Sequence, residues 1–253
     1  MNEFICINVS IPLRKGPSHK TEMGTQILFG EKFYIIEKAG DWRKIRINWY
    51  NYTGWVDKSQ VDFIPASDKG DSDIISKRVV VRKSDGTYMT IEPGSEVYSL
   101  SEDRKSFFAG NEKYDSDEPI EVALSGESIS ATALKFLNAP YLWGGRTPAG
   151  IDCSGLTQIV YKLHKIRIPR DSYEQAERGV TIDFLSDALP GDLIFFDDDS
   201  GKICHVGIYY DEGKILHCSG RVRIDVIDHQ GIYRDDLKKY SHRLRVIKRI
   251  IKQ

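Results

Sequence analysis

Long apolar stretches are absent from this chain. No window approaches the roughly 18 apolar residues that a membrane-spanning helix needs, so no transmembrane segment is expected. The opening run MNEFICINVSIPLRKG lacks a basic stretch leading into a long apolar one, and no secretion signal is expected there. An export signal removed ahead of Met1 is the alternative. An excess of either charge is missing too, with 36 Lys plus Arg against 37 Asp plus Glu. That balance argues against nucleic acid or an anionic membrane surface as a partner. Cysteine is sparse: Cys6, Cys153, Cys204 and Cys218 stand far apart with no C-x-x-C pair. The spacing excludes a disulfide framework and a zinc ribbon, and points to a reducing compartment, the cytoplasm.

What remains is ordinary globular material, 40% hydrophobic and 29% charged over 253 residues, enough for one large domain or several small ones. Residues 1–124 read as short strands separated by turns. EKFYIIEKAGDWRKIRINWY places two β-rich runs around the turn at 39–41, and YTGWV at 52–56 follows as a further strand. KRVVVRKSDGTYMTI repeats the theme, with Asp85-Gly86 as a hairpin signal between β-branched runs. Aligning Gly30 with Gly94 matches Phe33 to Val97, Tyr34 to Tyr98 and Ile36 to Leu100, a weak repeat the size of a small β-barrel. The polar stretch ASDKGDSD at 66–73 is read as the linker between two such barrels. Beyond 125 the pattern changes. SGESISATALKFLNAP reads as a helix with Ser128 or Ser130 near its cap, and residues 153–166 as a second helix with Leu156, Ile159, Val160 and Leu163 on one face. Strands return from 189 in LPGDLIFF, ICHVGIYY, KILHCS and HRLRVIKR, which makes this part an α+β domain.

Within GGRTPAGIDCSGLTQIVYKLHKI, Cys153 falls at the first turn of a helix rather than inside its apolar stripe. Unpaired backbone N–H groups and the positive end of the helix dipole favour a thiolate there. Two histidines stand in CHVGIYYDEGKILHCSG. A three-residue loop at Asp211-Glu212-Gly213 pairs Tyr210 with Lys214 and Gly207 with His217, which puts His205 and His217 on one sheet face. Cys153, His205 and His217 then fill the roles of nucleophile, base and the group that orients the base. Zinc held by Cys204, His205, His217 and Cys218 is the competing reading. Alternation along a strand turns the two cysteines away from the histidines and disfavours it.

YLWGGRTPAGIDCSGL, IPRDSYEQ, LPGDLIFF, HVGIYY and ILHCSG, in that order, resemble the NlpC-type family of papain-like bacterial cell-wall cysteine peptidases over about residues 128–250. The resemblance implies Cys153 as nucleophile, His205 as base, His217 as the third polar member, and no metal or cofactor. Members hydrolyse the γ-D-glutamyl–diamino-acid bond of peptidoglycan stem peptides. The N-terminal β repeats resemble bacterial SH3-like barrels, and the combination resembles the intracellular murein-recycling subgroup, which releases L-Ala-γ-D-Glu from free peptides. In that subgroup an acidic residue and a tyrosine of the first barrel meet the amino end of the substrate. HKTEMGTQILFGE and YTGWV resemble those segments, which implicates Glu22 and Tyr52. Trp143, Asp152, Ser154, Asp171 and Ser172 fall at positions resembling substrate contacts or the cleft wall. Plainer readings stand beside these: Glu22 as a surface acid, Tyr52 as a barrel core residue, Asp152 as a helix cap.

The expected architecture is an SH3-like barrel at 1–65, a second at 66–124 and an α+β papain-like peptidase domain at 125–253. The expected activity is cleavage of the γ-D-glutamyl bond to diaminopimelate or lysine in free murein peptides by a monomer. An exported endopeptidase or amidase anchored to the wall by its barrels, and a non-catalytic wall-binding protein, are the alternatives.

Overall fold

The computed structural model describes residues 2–66, 72–123 and 127–250. The chain divides into two compact units: Met1–Leu124 with Lys162–Arg167, and Ser125–Tyr161 with Ile168–Gln253. Among the described residues no helix is long and apolar enough to cross a membrane.

The first unit begins with a seven-stranded antiparallel sheet built from the segments up to Pro65. Residues of period two, such as Ile11 and Leu13 or Ile45 and Ile47, supply its core together with Cys6, Phe33 and Val56. The expected turn at 39–41 is there, with Ala39 paired to Trp42 and Gly40 at a positive φ of 55°. The second segment departs from expectation. The Asp85-Gly86 hairpin forms between Val79–Lys83 and Tyr88–Ile91, but those strands belong to a four-stranded sheet beside a separate two-stranded ladder. A single SH3-type domain is therefore seen where two barrels were expected. The strand after Gly94 is only the pair Glu96–Val97, too short to close a barrel. The apolar face it leaves is covered instead by Ile5 and Phe29 of the first segment, which join Val81, Ile91, Phe107 and Tyr114 in one core. Most of the expected linker, residues 67–71, lies outside the described residues.

The second unit opens with helix α1 (Ile129–Leu134), whose N-cap is Ser128: its side chain accepts from the Ala131 N–H. Ser125 and Gly126 lie outside the described residues. Helix α2 (Cys153–Leu163) follows, burying Leu156, Ile159, Val160 and Leu163 as its spacing implies. After the short helix α3 (Ser172–Gln175) the chain forms successive antiparallel strands. Among the described residues Val180–Ile182 pairs only with the end of the last strand, and the other six are Leu193–Asp197, Ile203–Asp211, Lys214–Ser219, Arg221–Ile227, Gly231–Arg234 and Lys239–Arg249. The last strand pairs with both Gly231–Arg234 and Leu193–Asp197, so the six strands return on themselves. All five residues of Leu193–Asp197 are buried, as befits a strand covered on both faces. Helices α1 and α3 both pack on Ile203–Asp211, the strand that carries His205.

Candidate active site

The glycines ahead of Cys153 exist for close packing. A Cβ on Gly145 would lie 2.3 Å from the Gly150 carbonyl oxygen, and one on Gly155 would lie 2.2 Å from that of Gly145. The loop 144–150 is thereby pressed against the head of α2. Asp152 ties the two together. Its carboxylate accepts the N–H groups of Gly144 and Gly155, each at 2.7 Å, and pairs with the Arg170 guanidinium at 2.6 Å. Arg170 also donates to Ser154 Oγ at 2.7 Å. Asp152, Ser154 and Arg170 are all buried, and Arg170 was not singled out from the sequence although it lies in IPRDSYEQ.

Cys153 is the first residue of α2 and is buried. Its sulfur is acted on by the backbone N–H of Val206, the residue after His205, and by that of Ser154. Burial pushes the thiol up to about 12, with the Asp152 charge adding to it and the two N–H groups and Arg170 opposing. Removal from water thus outweighs the helix terminus, contrary to the thiolate expected from the sequence. Tyr141 belongs to the same neighbourhood: burial raises its phenol, and Cys153 and Asp152 raise it further.

Gly207 pairs with His217 as the sequence implies, but by a different route. The turn is the two residues Glu212-Gly213, both at positive φ (43° and 70°), and a bulge at Tyr210 restores the parity that a two-residue turn alone would break. A Cβ on Gly207 would lie 2.9 Å from that of His217, so glycine there lets the His217 ring cross toward His205. The result is a hydrogen bond of 2.9 Å between His205 Nε2 and His217 Nδ1. Beyond it, His217 Nε2 lies 2.9 Å from Asp225 Oδ2, and Arg223 holds the same carboxylate at 2.7 Å. Burial raises the Asp225 carboxyl, but the bonds from His217 and Arg223 hold it below the usual range. Burial, then His242 and His217, push His205 well below its usual value. Burial also lowers His217 against the pull of Asp225.

These bonds fix the tautomers. An ionised Asp225 only accepts, so His217 Nε2 carries the proton and His217 Nδ1 is the acceptor. His205 must then donate from Nε2, which leaves its Nδ1 with a lone pair. His205 is thus a neutral imidazole whose orientation is set by a histidine and a carboxylate, a group able to take a proton at Nδ1. Asp225 was missed from sequence. The Ser219↔Arg221 hairpin at Gly220 puts Arg223 opposite His217 and Asp225 two residues further on the same face. His242 was missed as well, and its ring lies against His205 with centroids 4.1 Å apart.

The donors of the competing zinc reading point apart. The Cys204 sulfur lies 3.8 Å from the Phe196 carbonyl oxygen, and Cys218 donates to that of Ile151 at 3.2 Å. The imidazoles of His205, His217 and His242 bring ligand atoms within 4.8 Å of one another. However, His205 and His242 are inclined by only 23°, so their in-plane lone pairs run in separate planes rather than converging on one ion.

The remaining residues fall in two groups. In the second unit, Asp171 is the N-cap residue of α3 without capping it, Ser172 is its first residue, and both are half-buried. Trp143 is exposed at 58% in the loop before α2. In the first unit, Tyr52 accepts from Lys15 Nζ at 2.7 Å, and its hydroxyl occupies the space over Gly24, where a Cβ would lie 2.4 Å away. The Lys15 N–H in turn bonds the Glu22 carbonyl at 2.9 Å, so Glu22 and Tyr52 share one neighbourhood of that unit.

Comparison with known proteins places this geometry. The model of the NlpC/P60 family matches residues 138–240, and that of the bacterial dipeptidyl-peptidase SH3 domain matches residues 13–61. The chain is 31% identical over 217 residues to a γ-D-glutamyl-L-lysine dipeptidyl-peptidase of Bacillus subtilis, a match covering 76% of this chain and 71% of that one. It is 27% identical over 267 residues to dipeptidyl-peptidase 6 of Lysinibacillus sphaericus, covering 92% and 95%. Its fold matches that of an NlpC/P60 family protein from Bacillus cereus with a TM-score of 0.80 at 20% identity, covering 99% of this chain and 100% of that one.

Proposed function

The chain belongs to the NlpC/P60 family and is a cysteine peptidase; from that premise we propose that it hydrolyses the γ-D-glutamyl–diamino-acid bond of free murein stem peptides, releasing L-Ala-γ-D-Glu. The observation that carries the reading is the extent of the likeness. The match to the γ-D-glutamyl-L-lysine dipeptidyl-peptidase covers 76% of the chain, more than its peptidase part alone.

In this proposal the Cys153 sulfur attacks the γ-carbonyl carbon of D-Glu while His205 Nδ1 takes the thiol proton. The same proton passes to the departing amine of the diamino acid, leaving a thioester. Water then attacks, its proton goes to His205, the C–S bond breaks and the thiol is restored. His217 and Asp225 hold His205 in the tautomer that leaves Nδ1 basic. Backbone N–H groups at the head of α2 offer donors to the oxyanion, apart from that of Gly155, which Asp152 already takes. No metal is required.

Glu22 is assigned to the free α-amine of the substrate and Tyr52 to closing the cleft beyond its first residue, while Asp171 and Ser172 are assigned to substrate contacts and Trp143 to the cleft wall. An ammonium brought out of water needs a carboxylate to offset its lost hydration. Asp152 contributes by holding Ser154 and the head of α2. Residues 1–65 and 66–124 are proposed as two segments of one N-terminal unit and 125–253 as the peptidase domain, with the cytoplasm as the compartment and a monomer as the active form.

The test compares free L-Ala-γ-D-Glu-diaminopimelate with its N-acylated form by mass spectrometry of products. Free peptide cleaved at least tenfold faster supports the proposal, and Glu22→Ala then raises KM. Equal turnover overturns it in favour of an endopeptidase of intact wall.

A further inference from the structure

His242 has no part in the relay from Asp225 to His205, yet it makes the closest ring contact in the site. Its imidazole covers one face of His205 with centroids 4.1 Å apart and planes 23° apart. Phe196 touches both rings, at 5.8 Å from His205 and 5.9 Å from His242. The hydrogen bond to His217 pins one end of the His205 ring but leaves the ring free to roll about that bond. A flat neighbour in van der Waals contact removes that freedom.

The backbone is shaped to put His242 there. Its strand has one bulge at Ser241, between the pairs Ile232↔His242 and Tyr233↔Tyr240. A second, at Arg245, separates Phe195↔Val246 from Phe196↔Leu244. Between the bulges, His242 shares a face with Leu244, hence with Phe196 and His205 opposite it. Gly231, at φ 142°, lies so close that a Cβ would come 1.8 Å from the His242 carbonyl oxygen. The ring itself is tethered: His242 Nδ1 lies 2.8 Å from Ser241 Oγ, whose proton has the Ile232 carbonyl oxygen within 3.3 Å. Ser241 therefore accepts from His242 Nδ1–H.

We propose that His242 is a positioning residue of the peptidase, a flat plate that fixes the plane of the His205 imidazole so that its Nδ1 addresses the Cys153 thiol. The proposal rests on the reading of His205 as base, and what matters is the flat ring rather than its nitrogens. The charged and titratable groups around the pair are His217 from Lys214–Ser219, Asp225 from Arg221–Ile227 and Arg234 from Gly231–Arg234. Burial, with His217 and Arg234, lowers His242 to about 4. The plate is thus uncharged at neutral pH.

The test avoids any assumption about the peptide cleaved. Full-length His242→Phe, His242→Leu and His242→Ala are treated with iodoacetamide, and the alkylation rate of Cys153 is followed by peptide mass mapping from pH 5 to 9. Thermal unfolding of each variant is measured alongside. Phe keeps the plate, so His242→Phe should alkylate within about threefold of the parent with a similar pH profile. His242→Leu fills space without a plane, and it should slow Cys153 about tenfold, as should His242→Ala. A Leu variant as fast as the parent overturns the proposal, as does a Phe variant as slow as the Leu variant. Since no substrate is involved, these outcomes are distinct from failure of the γ-D-glutamyl assignment, which shows only in the products.

Discussion

His205 Nε2 and His217 Nδ1 lie 2.9 Å apart, and the proton between them belongs to His205. This follows from Asp225, which occupies the far nitrogen of His217 at 2.9 Å. A neutral amide cannot enforce that tautomer, because it can donate as well as accept. Asp225→Asn should therefore lower kcat by about tenfold or more with KM little changed. Steady-state kinetics on the free tripeptide reads this directly. An unchanged kcat would remove Asp225 from the account.

The protonation states of the site give Cys153 an unusual reactivity profile. Its thiol is pushed up to about 12 by burial, and His205 is held well below its ordinary value, so the proposed nucleophile and the proposed base are both neutral. Alkylation assisted by that base should be nearly independent of pH between 6.5 and about 8.5. The exposed Cys204 should instead react faster with each step of alkalinity, as an unassisted thiol does. A Cys153 rate that climbs in parallel with that of Cys204 would show that no base takes its proton.

Stability should fall on mild acidification. His205, His217 and His242 are all lowered in the folded protein, His242 to about 4. Below their ordinary value of about 6.5 the unfolded chain binds protons that the folded chain does not, so acid favours unfolding. The loss begins near pH 6.5 and deepens toward pH 4, above the range where the lowered carboxylates Asp197 and Asp225 titrate. Urea midpoints measured from pH 7.5 to 4.5 should decline accordingly, and His242→Phe should flatten part of the decline. Midpoints unchanged between pH 6.5 and 4.5 would contradict the buried neutral state of these rings.

Asp152 and Arg170 form a buried ion pair that also fastens the head of α2. Removing one partner leaves the other charged and out of water. Asp152→Ala should destabilise the protein by about 3–5 kcal/mol. Asp171→Ala, at a half-buried carboxylate that caps nothing, should leave stability nearly unchanged and act on KM. Denaturant unfolding of the two variants separates these roles, and equal stability losses would refute the distinction.

How much of this was legible from sequence depended on parity. Where strands run without interruption, alternation is reliable: Leu13 and Ile11, or Ile45 and Ile47, face the core as their spacing implies. The pairing of His205 with His217 was also legible, but only because the bulge at Tyr210 cancelled the two-residue turn. His242 was not, since bulges on both sides of it erase the periodicity of its strand. Asp225 was within reach, because the tight hairpin at Gly220 sets it beside His217. The state of the Cys153 thiol was out of reach: a sequence shows the helix terminus that lowers a thiol, but not the burial that raises it. The second N-terminal segment escaped for a related reason. Its strands are β-rich, yet its core is completed by Ile5 and Phe29, far away in the chain.

In the proposed reaction the chemistry runs through the Cys153 sulfur. Acid-quenched turnover of the free tripeptide, followed by peptide mapping, tests it most directly, with Cys153→Ala, Cys204→Ser and Cys218→Ser as companions. An L-Ala-γ-D-Glu acyl group is expected on Cys153 alone, with cleavage retained in the two serine variants and none in Cys153→Ala. Cleavage by Cys153→Ala, or an acyl group carried by any other residue, would contradict it.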